Sequence, residues 1–173
     1  KRRMDEHNSV TLEGRYKEAP VEFPKLNLPS GSYGFFPYHF REGDSELISA
    51  NATPLCRLRG EDGTICVVFY GDWDPAFVWK DERHFPILHL DRKQALQAWK
   101  VTLDQDYLIL SDDYVWEENG KLYIEGEKNT VIRCYPKLKE FSVLPDGFEA
   151  RGRDQEFTLY RRREEAENTR VTV

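Results

Sequence analysis

Short runs rich in Val, Ile, Phe, Tyr and Trp recur along the chain from about residue 33, and clusters of Gly, Asp, Asn and Pro separate them. Runs of this length between turn-forming residues are typical of β-strands. They predict strands at 33–40, 46–50, 54–58, 64–70, 77–80, 85–90, 107–110, 114–117, 121–125, 130–135, 141–144, 148–151, 156–161 and 169–173. An antiparallel sheet must bury one face against another sheet. Strands this numerous therefore predict an all-β fold, an antiparallel β-sandwich with Greek-key or jelly-roll-like connections.

A tight hairpin is predicted around Glu118-Asn119-Gly120, which separates apolar runs at 114–116 and 122–124. Asn and Gly tolerate the positive φ angles that a two-residue hairpin turn requires. This is one of the two clearest hairpin signals in the chain.

The second hairpin signal is the group of turn formers at 60–63, and its register is open. A three-residue loop centred on Glu61 would place Cys56 directly opposite Cys66 on paired strands. A two-residue turn would instead place Cys56 opposite Phe69. The redox state of the two cysteines is undecided for the same reason.

One helix is predicted, at 92–100. Asp91 can cap its N-terminus, and Ala95, Leu96 and Trp99 fall on one face at helical spacing. We expect it to be a short connector between sheets rather than a nucleotide-binding helix.

The chain divides by composition into two parts. Residues 1–32 have three prolines, no steady hydrophobic period and many charges, which predicts a linker or a surface strand region. Residues 33–173 are predicted to form the β-sandwich domain. Its core is expected to include the large apolar side chains of Val67, Phe69, Trp99, Leu110, Ile124 and Ile132. Because the sequence starts at Lys1 and ends in mid-pattern at 170–173, we expect it to be a piece of a longer protein.

Charge excludes one class of partner. The 173 residues carry 31 acidic and 25 basic side chains, a formal net charge of −6, whereas binding to a phosphate backbone requires a basic stripe. Nucleic acid is therefore not an expected partner.

No apolar run approaches the roughly 20 residues of a membrane helix, and the N-terminal stretch lacks the apolar core of a signal peptide. The sequence does not determine the compartment; we expect no membrane association and a cytoplasmic location.

Residues that could carry chemistry occur without the spacing that chemistry requires. The three cysteines lack C-x-x-C spacing, so we expect them to be reduced and buried. His84 and His89 lie five residues apart in strand-like sequence and should point to opposite faces, which argues against a shared metal ion. The acid pairs at 104/106 and 112/113 are typical of turns at strand ends rather than of catalytic or calcium-binding carboxylates. The sequence predicts no catalytic residue, no metal site and no cofactor.

Aromatic side chains are the one enriched type, with 10 Phe, 9 Tyr and 4 Trp. A rigid apolar ring with a polar rim can stack on a sugar when it is exposed. The candidate carbohydrate-binding residues are Trp73 and Trp79, which flank a turn, and Trp116, which lies in a predicted hairpin. The competing interpretation packs Trp79, Trp99 and Trp116 in the core and leaves Trp73, beside two acids and a proline, as the exposed ring.

Several short motifs occur in an order that resembles the non-catalytic β-sandwich region of bacterial β-galactosidases of glycoside hydrolase family 35. Phe35-Phe36-Pro37 and the stretch 49–58 are similar to the family's Phe/Trp-Pro segment and its Ala-Thr-Ala-Gln-Pro-Leu stretch, with Asn51 and Thr53 departing at the Thr and Gln positions. Further similar motifs are Asp62-Gly63-Thr64, Pro75-Ala76-Phe77-Val78, the connector at 95–101, and the strands at 108–112 and 115–116. The resemblance covers about residues 31–124.

The resemblance implies a role rather than a catalytic site. The family's catalytic glutamates lie on a barrel of about 250 residues, which this chain is too short to contain. The implied function is that of a structural, accessory domain that packs beside the catalytic domain of the same polypeptide and could add to an oligomer interface. Carbohydrate binding through exposed Trp and Tyr residues is the alternative. An independent small jelly-roll enzyme is a third interpretation, for which no base or ligand set can be named.

Overall fold

A computed structural model describes residues 9–10, 21–26, 34–71, 74–126, 130–139 and 147–162. They form two compact units: unit 1 comprises the described residues of Lys1–Cys56 and Ile65–Arg92, and unit 2 those of Arg57–Thr64 and Lys93–Val173. The fold is mostly β, with several antiparallel sheets and one short helix, which confirms the predicted all-β fold class. No helix in the described ranges has the length and apolar character to cross a membrane.

Unit 1 consists of two packed sheets and one isolated strand pair. Its strands are β1 (Ser9–Val10), β2 (Val21–Glu22), β3 (Tyr38–Glu42), β4 (Ser45–Ala50), β5 (Thr53–Arg59, whose last residues enter unit 2), β6 (Ile65–Tyr70), β7 (Phe77–Trp79) and β8 (Ile87–Leu90). The sheets are ordered β3-β4-β7 and β5-β6-β8, and β1 pairs with β2. The core between the two sheets contains Leu47 and Ala50 of β4 facing Val67 and Phe69 of β6.

Unit 2 also packs one sheet on another. Its elements are α1 (Arg92–Leu96), β9 (Ala98–Thr102), β10 (Asp106–Leu110), β11 (Tyr114–Glu118), β12 (Lys121–Glu125), β13 (Val131–Tyr135), β14 (Phe148–Asp154) and β15 (Phe157–Arg162). The order β14-β15-β13-β10-β9 forms a five-stranded sheet, and β11-β12 forms a separate hairpin.

Strand alternation explains the core of unit 2. Side chains two residues apart share a face, so Tyr107 and Ile109 of β10 lie beside Ile132 of β13. The inner face of the hairpin covers them with Val115 and Ile124, both almost fully buried. The inner face of the β11-β12 hairpin therefore packs on the core of unit 2, and its outer face points away from that core.

The predicted core is confirmed at five of its six positions and wrong at one. Trp99 is only partly buried, at the edge of the unit 2 core, whereas the other five side chains are buried. The predicted strands at 141–144 and 169–173 lie outside the described residues.

The predicted helix at 92–100 is wrong in its second half. The helix ends at Leu96, and residues from Ala98 onward form β9, which pairs with β10 from Ala98↔Leu110 to Thr102↔Asp106. A free strand edge on β10 offers backbone hydrogen bonds that outweigh the helical spacing of three apolar side chains. Leu96, expected on the buried helix face, is 83% exposed.

Two features depart from the expectation of two antiparallel sheets: there are more sheets, and β6 and β8 pair in parallel from Val67↔Ile87 to Tyr70↔Leu90. A parallel pair needs a crossover connection, usually a helix. Here the chain leaves through β7 in the other sheet of unit 1 and returns in the original direction, so a strand replaces the helix.

The two predicted hairpins have different outcomes. Glu118 pairs with Lys121 around a two-residue turn, with φ of 55° at Asn119 and 75° at Gly120, as predicted. At the other hairpin, Gly60 N–H donates to the Thr64 carbonyl (2.9 Å) and Gly63 N–H to the Gly60 carbonyl (3.0 Å). That loop has three residues and is centred on Asp62, with Gly63 at a φ of 81°. Neither register considered from the sequence is present at the turn.

Candidate functional site

Three aromatic side chains occupy the outer face of the β11-β12 hairpin, and we call Tyr114, Trp116 and Tyr123 the aromatic face. Tyr114 and Trp116 alternate with the buried Val115, and Tyr123 pairs directly with Trp116. Tyr114 is 59% exposed, and the other two rings are partly buried. Burial of the inner positions obliges these rings to face outward.

The rings form a contiguous row. Trp116 and Tyr123 stack across the hairpin with centroids 5.2 Å apart and an interplanar angle of 11°. Tyr114 is tilted against Trp116 at 5.3 Å, and Trp99 meets the edge of Tyr114 at 5.1 Å. Trp99 Nε1 donates to the Ser111 carbonyl (3.2 Å), which holds that end of the row. Such pairs contribute about 0.5–1.5 kcal/mol each beyond their burial.

Charged side chains border the aromatic face. Glu118 lies directly opposite Lys121, and Glu125 directly opposite Tyr114, so all three share the face with the rings. All three are exposed, and none forms an ion pair or a side-chain hydrogen bond with a described residue. The face therefore combines apolar ring surface with ionic groups whose hydrogen-bonding capacity is unused.

Trp79, by contrast, is packed within unit 1. His84 stacks on it at 4.4 Å with an interplanar angle of 23°, and Phe85 meets it edge-on at 4.7 Å. It also packs against the core between the two sheets. Because the ring contacts the unit 1 core as well as two neighbouring rings, Trp79 is a poor stacking platform. Trp73, the third candidate, lies outside the described residues.

A buried carboxylate, that of Glu46, lies on the face of the β3-β4-β7 sheet opposite to Trp79. Glu46 is 7% exposed and accepts hydrogen bonds from His39 Nδ1 (2.5 Å) and Lys80 Nζ (2.9 Å), with Arg41 at 3.2 Å. His39 first, and then Lys80, lower the pKa of Glu46 to about 2. His39 adopts a φ of 49°, which is uncommon for a residue other than glycine. Through one carboxylate the cluster connects β3 and β4 to Lys80, the residue that follows β7.

The acid pair at 104/106 forms hydrogen bonds with neighbouring segments of unit 2. Asp104 accepts hydrogen bonds from Lys139 Nζ (2.7 Å) and the Tyr107 hydroxyl (2.9 Å), and Asp106 accepts from Lys100 Nζ (2.8 Å) and Thr102 Oγ1 (2.6 Å). Desolvation would raise the pKa of each carboxyl, but these hydrogen bonds lower both below the usual value. Burial raises the pKa of Tyr107 to about 12, so its hydroxyl remains a hydrogen-bond donor.

The acid pair at 112/113 forms hydrogen bonds as well. Asp112 accepts from Gln97 Nε2 (2.6 Å), and Asp113 accepts from Thr130 Oγ1 (2.5 Å). Asp113 N–H also donates to Ser111 Oγ (3.0 Å). The two carboxylates thus tie different segments together.

Asn51, which departs from the family motif, has a structural role in unit 1. Its buried side chain donates to the carbonyls of Lys25 and Asp74 (both 3.1 Å) and accepts from Ala76 N–H (2.8 Å). One amide thereby fastens three chain segments. The sequence offered no signal for these hydrogen bonds, because each partner lies more than 20 residues from Asn51 along the chain.

The histidines and cysteines provide no metal site in the described ranges. His84 is exposed on Trp79, and desolvation by burial lowers the pKa of the partly buried His89. Cys66 and Cys134 are buried, whereas Cys56, expected to be buried, is only partly so. Among the described residues no group of three or more His, Cys, Asp and Glu side chains is placed to hold a metal ion.

The sequence named Trp116 and predicted exposed tyrosines beside it in the carbohydrate-binding alternative, but it did not identify Tyr114 and Tyr123. The signal was present: Tyr114 and Trp116 flank the apolar Val115, and the turn register makes Tyr123 the partner of Trp116. The Glu46 cluster had no comparable signal, because His39 and Lys80 are brought to it by two different strand pairings.

Comparison with known proteins returns no matching family model, no curated relative and no similar solved structure. The resemblance to glycoside hydrolase family 35 therefore rests on the motifs in this sequence.

Proposed function

We propose that this chain is a non-catalytic accessory β-domain of a galactosidase-like glycoside hydrolase, and that it packs beside the catalytic domain of the same polypeptide. The observation that carries the proposal is the use of the acidic pairs. Asp104, Asp106, Asp112 and Asp113 each accept hydrogen bonds that hold neighbouring segments together. Their oxygens therefore support the fold rather than proton transfer or nucleophilic attack.

The motif residues support the same proposal. Asn51 lies in the stretch that is similar to the galactosidase segment, and its amide fastens loops of unit 1. A stretch whose side chain connects separate loops of unit 1 suits a structural domain that supports a neighbouring domain.

Turnover of a chromogenic galactoside by the isolated chain tests this role. We expect no turnover. Hydrolysis that disappears in the double variant Asp112→Asn/Asp113→Asn, but persists in the matched variant Asp44→Asn/Asp74→Asn, would contradict the proposal. Asp44 and Asp74 are exposed acids of unit 1 outside both pairs.

Carbohydrate binding is the second candidate, and the exposure of the aromatic face favours it. Tyr114 and Trp116 offer ring surface with polar groups beside it, which suits the apolar faces and hydroxyls of a sugar. Calorimetric titration with galactose-containing oligosaccharides tests this candidate. Saturable binding that is lost in Trp116→Ala and retained in Trp79→Ala would support it, and absence of binding would contradict it.

A further inference from the structure

We propose that the aromatic face is the docking surface for a basic protein segment, one that presents arginine or lysine side chains to Tyr114 and Trp116. The inference rests on the accessory role proposed above, because it states what kind of surface the domain meets on its partner.

The charge of the hairpin region selects a cationic partner. The outer face of the hairpin carries the carboxylates of Glu118 and Glu125 and the ammonium group of Lys121, a net charge of −1, and residues 112–125 as a whole contain five carboxylates and one ammonium group. A cation above Tyr114, the exposed ring of the face, is attracted by the negative face of the ring and by the Glu125 carboxylate beside it at the same time. A neutral ligand would gain neither of these attractions, but only ring stacking and ordinary hydrogen bonds.

The carboxylates of the aromatic face have unused hydrogen-bonding capacity. Glu46, Asp106 and Asp113 each accept hydrogen bonds from within the chain, whereas Glu118 and Glu125 form none with the described residues. A guanidinium group fits such a site because it can donate two parallel hydrogen bonds to one carboxylate while its flat face lies on a ring. Glu125 is the better partner, since Lys121, the one cation among residues 114–125 of the hairpin, lies opposite Glu118.

The surface is held in shape before binding. Val115, Leu122 and Ile124 anchor the inner face of the hairpin in the core of unit 2, and the two-residue turn sets its register. The Trp116–Tyr123 stack restricts both rings. Docking on pre-arranged aromatic side chains therefore costs little conformational entropy.

A pair of short peptides tests the proposal on the complete 173-residue chain. The probe is acetyl-Gly-Arg-Gly-Arg-Gly-amide, and its control is the same peptide with citrulline, the neutral isostere, in place of arginine. Binding is measured by calorimetry and by tryptophan fluorescence at low and high salt. We expect saturable binding of the arginine peptide that weakens as salt rises, and markedly weaker binding of the citrulline peptide.

Three variants locate the binding. We expect Trp116→Ala, and separately Glu118→Gln/Glu125→Gln, to weaken the arginine peptide by roughly tenfold. The matched variant Asp44→Asn/Glu82→Gln removes two exposed carboxylates from unit 1 and should bind as the wild type does. The glutamate double variant leaves every ring in place, so it tests the surface even if Trp116→Ala does not fold.

Four results would overturn the inference: no saturable binding, equal binding of both peptides, equal weakening in the unit 1 control, or saturable galactoside binding that Trp116→Ala abolishes. The last result would assign the face to a sugar. The accessory role is tested separately by galactoside turnover. If the chain neither hydrolyses the galactoside nor binds the arginine peptide, only the docking inference is contradicted.

Discussion

Aromatic rings lie near carboxylates in both units, but the two regions use them differently. In unit 1, Trp79 is contacted by His84 and Phe85, and Glu46 on the other face of the sheet is bonded to three side chains. In unit 2, Tyr114 is exposed beside Glu125, which has no partner among the described residues.

The difference separates groups that stabilise the fold from groups available to a ligand. Rings and carboxylates whose contacts are completed within the chain have little left to offer a partner. An exposed ring beside an unpaired carboxylate contributes little to folding and keeps its interactions for another molecule. Substitutions in the two regions should therefore affect different measurements.

The largest expected effect on stability is that of Trp79→Ala. Removing this ring opens a cavity at the unit 1 core and should cost about 3 kcal/mol of unfolding free energy, measured by urea denaturation. The control is Val78→Ala in the same strand, which is exposed and should cost under about 1 kcal/mol. Equal losses for the two variants would contradict the assignment of Trp79 to the core.

Glu46→Gln should change how the stability of the fold depends on pH. The pKa of Glu46 in the folded state, about 2, lies below its ordinary value of 4.5. Its stabilising contribution is therefore complete above pH 4.5 and is lost as the pH falls toward 2. We expect the variant to be less stable at neutral pH and its thermal midpoint to fall less between pH 4.5 and 2. Glu82→Gln, which removes an exposed acid, should keep the wild-type profile; a wild-type profile in Glu46→Gln would contradict the prediction.

Trp116→Ala should have a smaller effect on stability than Trp79→Ala. It removes one cross-strand stack from the outside of a hairpin whose inner face stays buried, so the expected cost is about 1 kcal/mol in the same urea experiment. A cost near that of Trp79→Ala would mean that the ring belongs to the core, and the contrast between the regions would fail.

The smallest expected effect on stability is that of Glu118→Gln/Glu125→Gln. These carboxylates have no partner among the described residues, so the double variant should lie within about 0.5 kcal/mol of the wild type. A loss above about 1 kcal/mol would indicate that the chain itself uses these groups, which would remove the basis for a docking surface.

The local sequence pattern was sufficient to predict the structure where all the residues that determine it lie in one short segment. The hairpin at Asn119-Gly120 formed as predicted, because the turn residues and the alternation of Val115 and Trp116 act within a dozen residues. The buried positions Val67, Phe69 and Ile132 were likewise evident from strand-like apolar runs. The sequence could also identify Trp116 as a candidate, but it could not separate Trp116 from Trp79.

The sequence by itself determined the all-β class, most strand positions and the turn at Asn119-Gly120, because period-two alternation and turn chemistry are local properties. Tertiary structure alone decided that Ala98–Thr102 is a strand, that β6 and β8 are parallel, and that Glu46 meets His39 and Lys80. These outcomes depend on which strand edge is free and on pairings between distant residues. The exposure of one tryptophan and the burial of another follow from those pairings, because the pairing determines which face of a strand is covered.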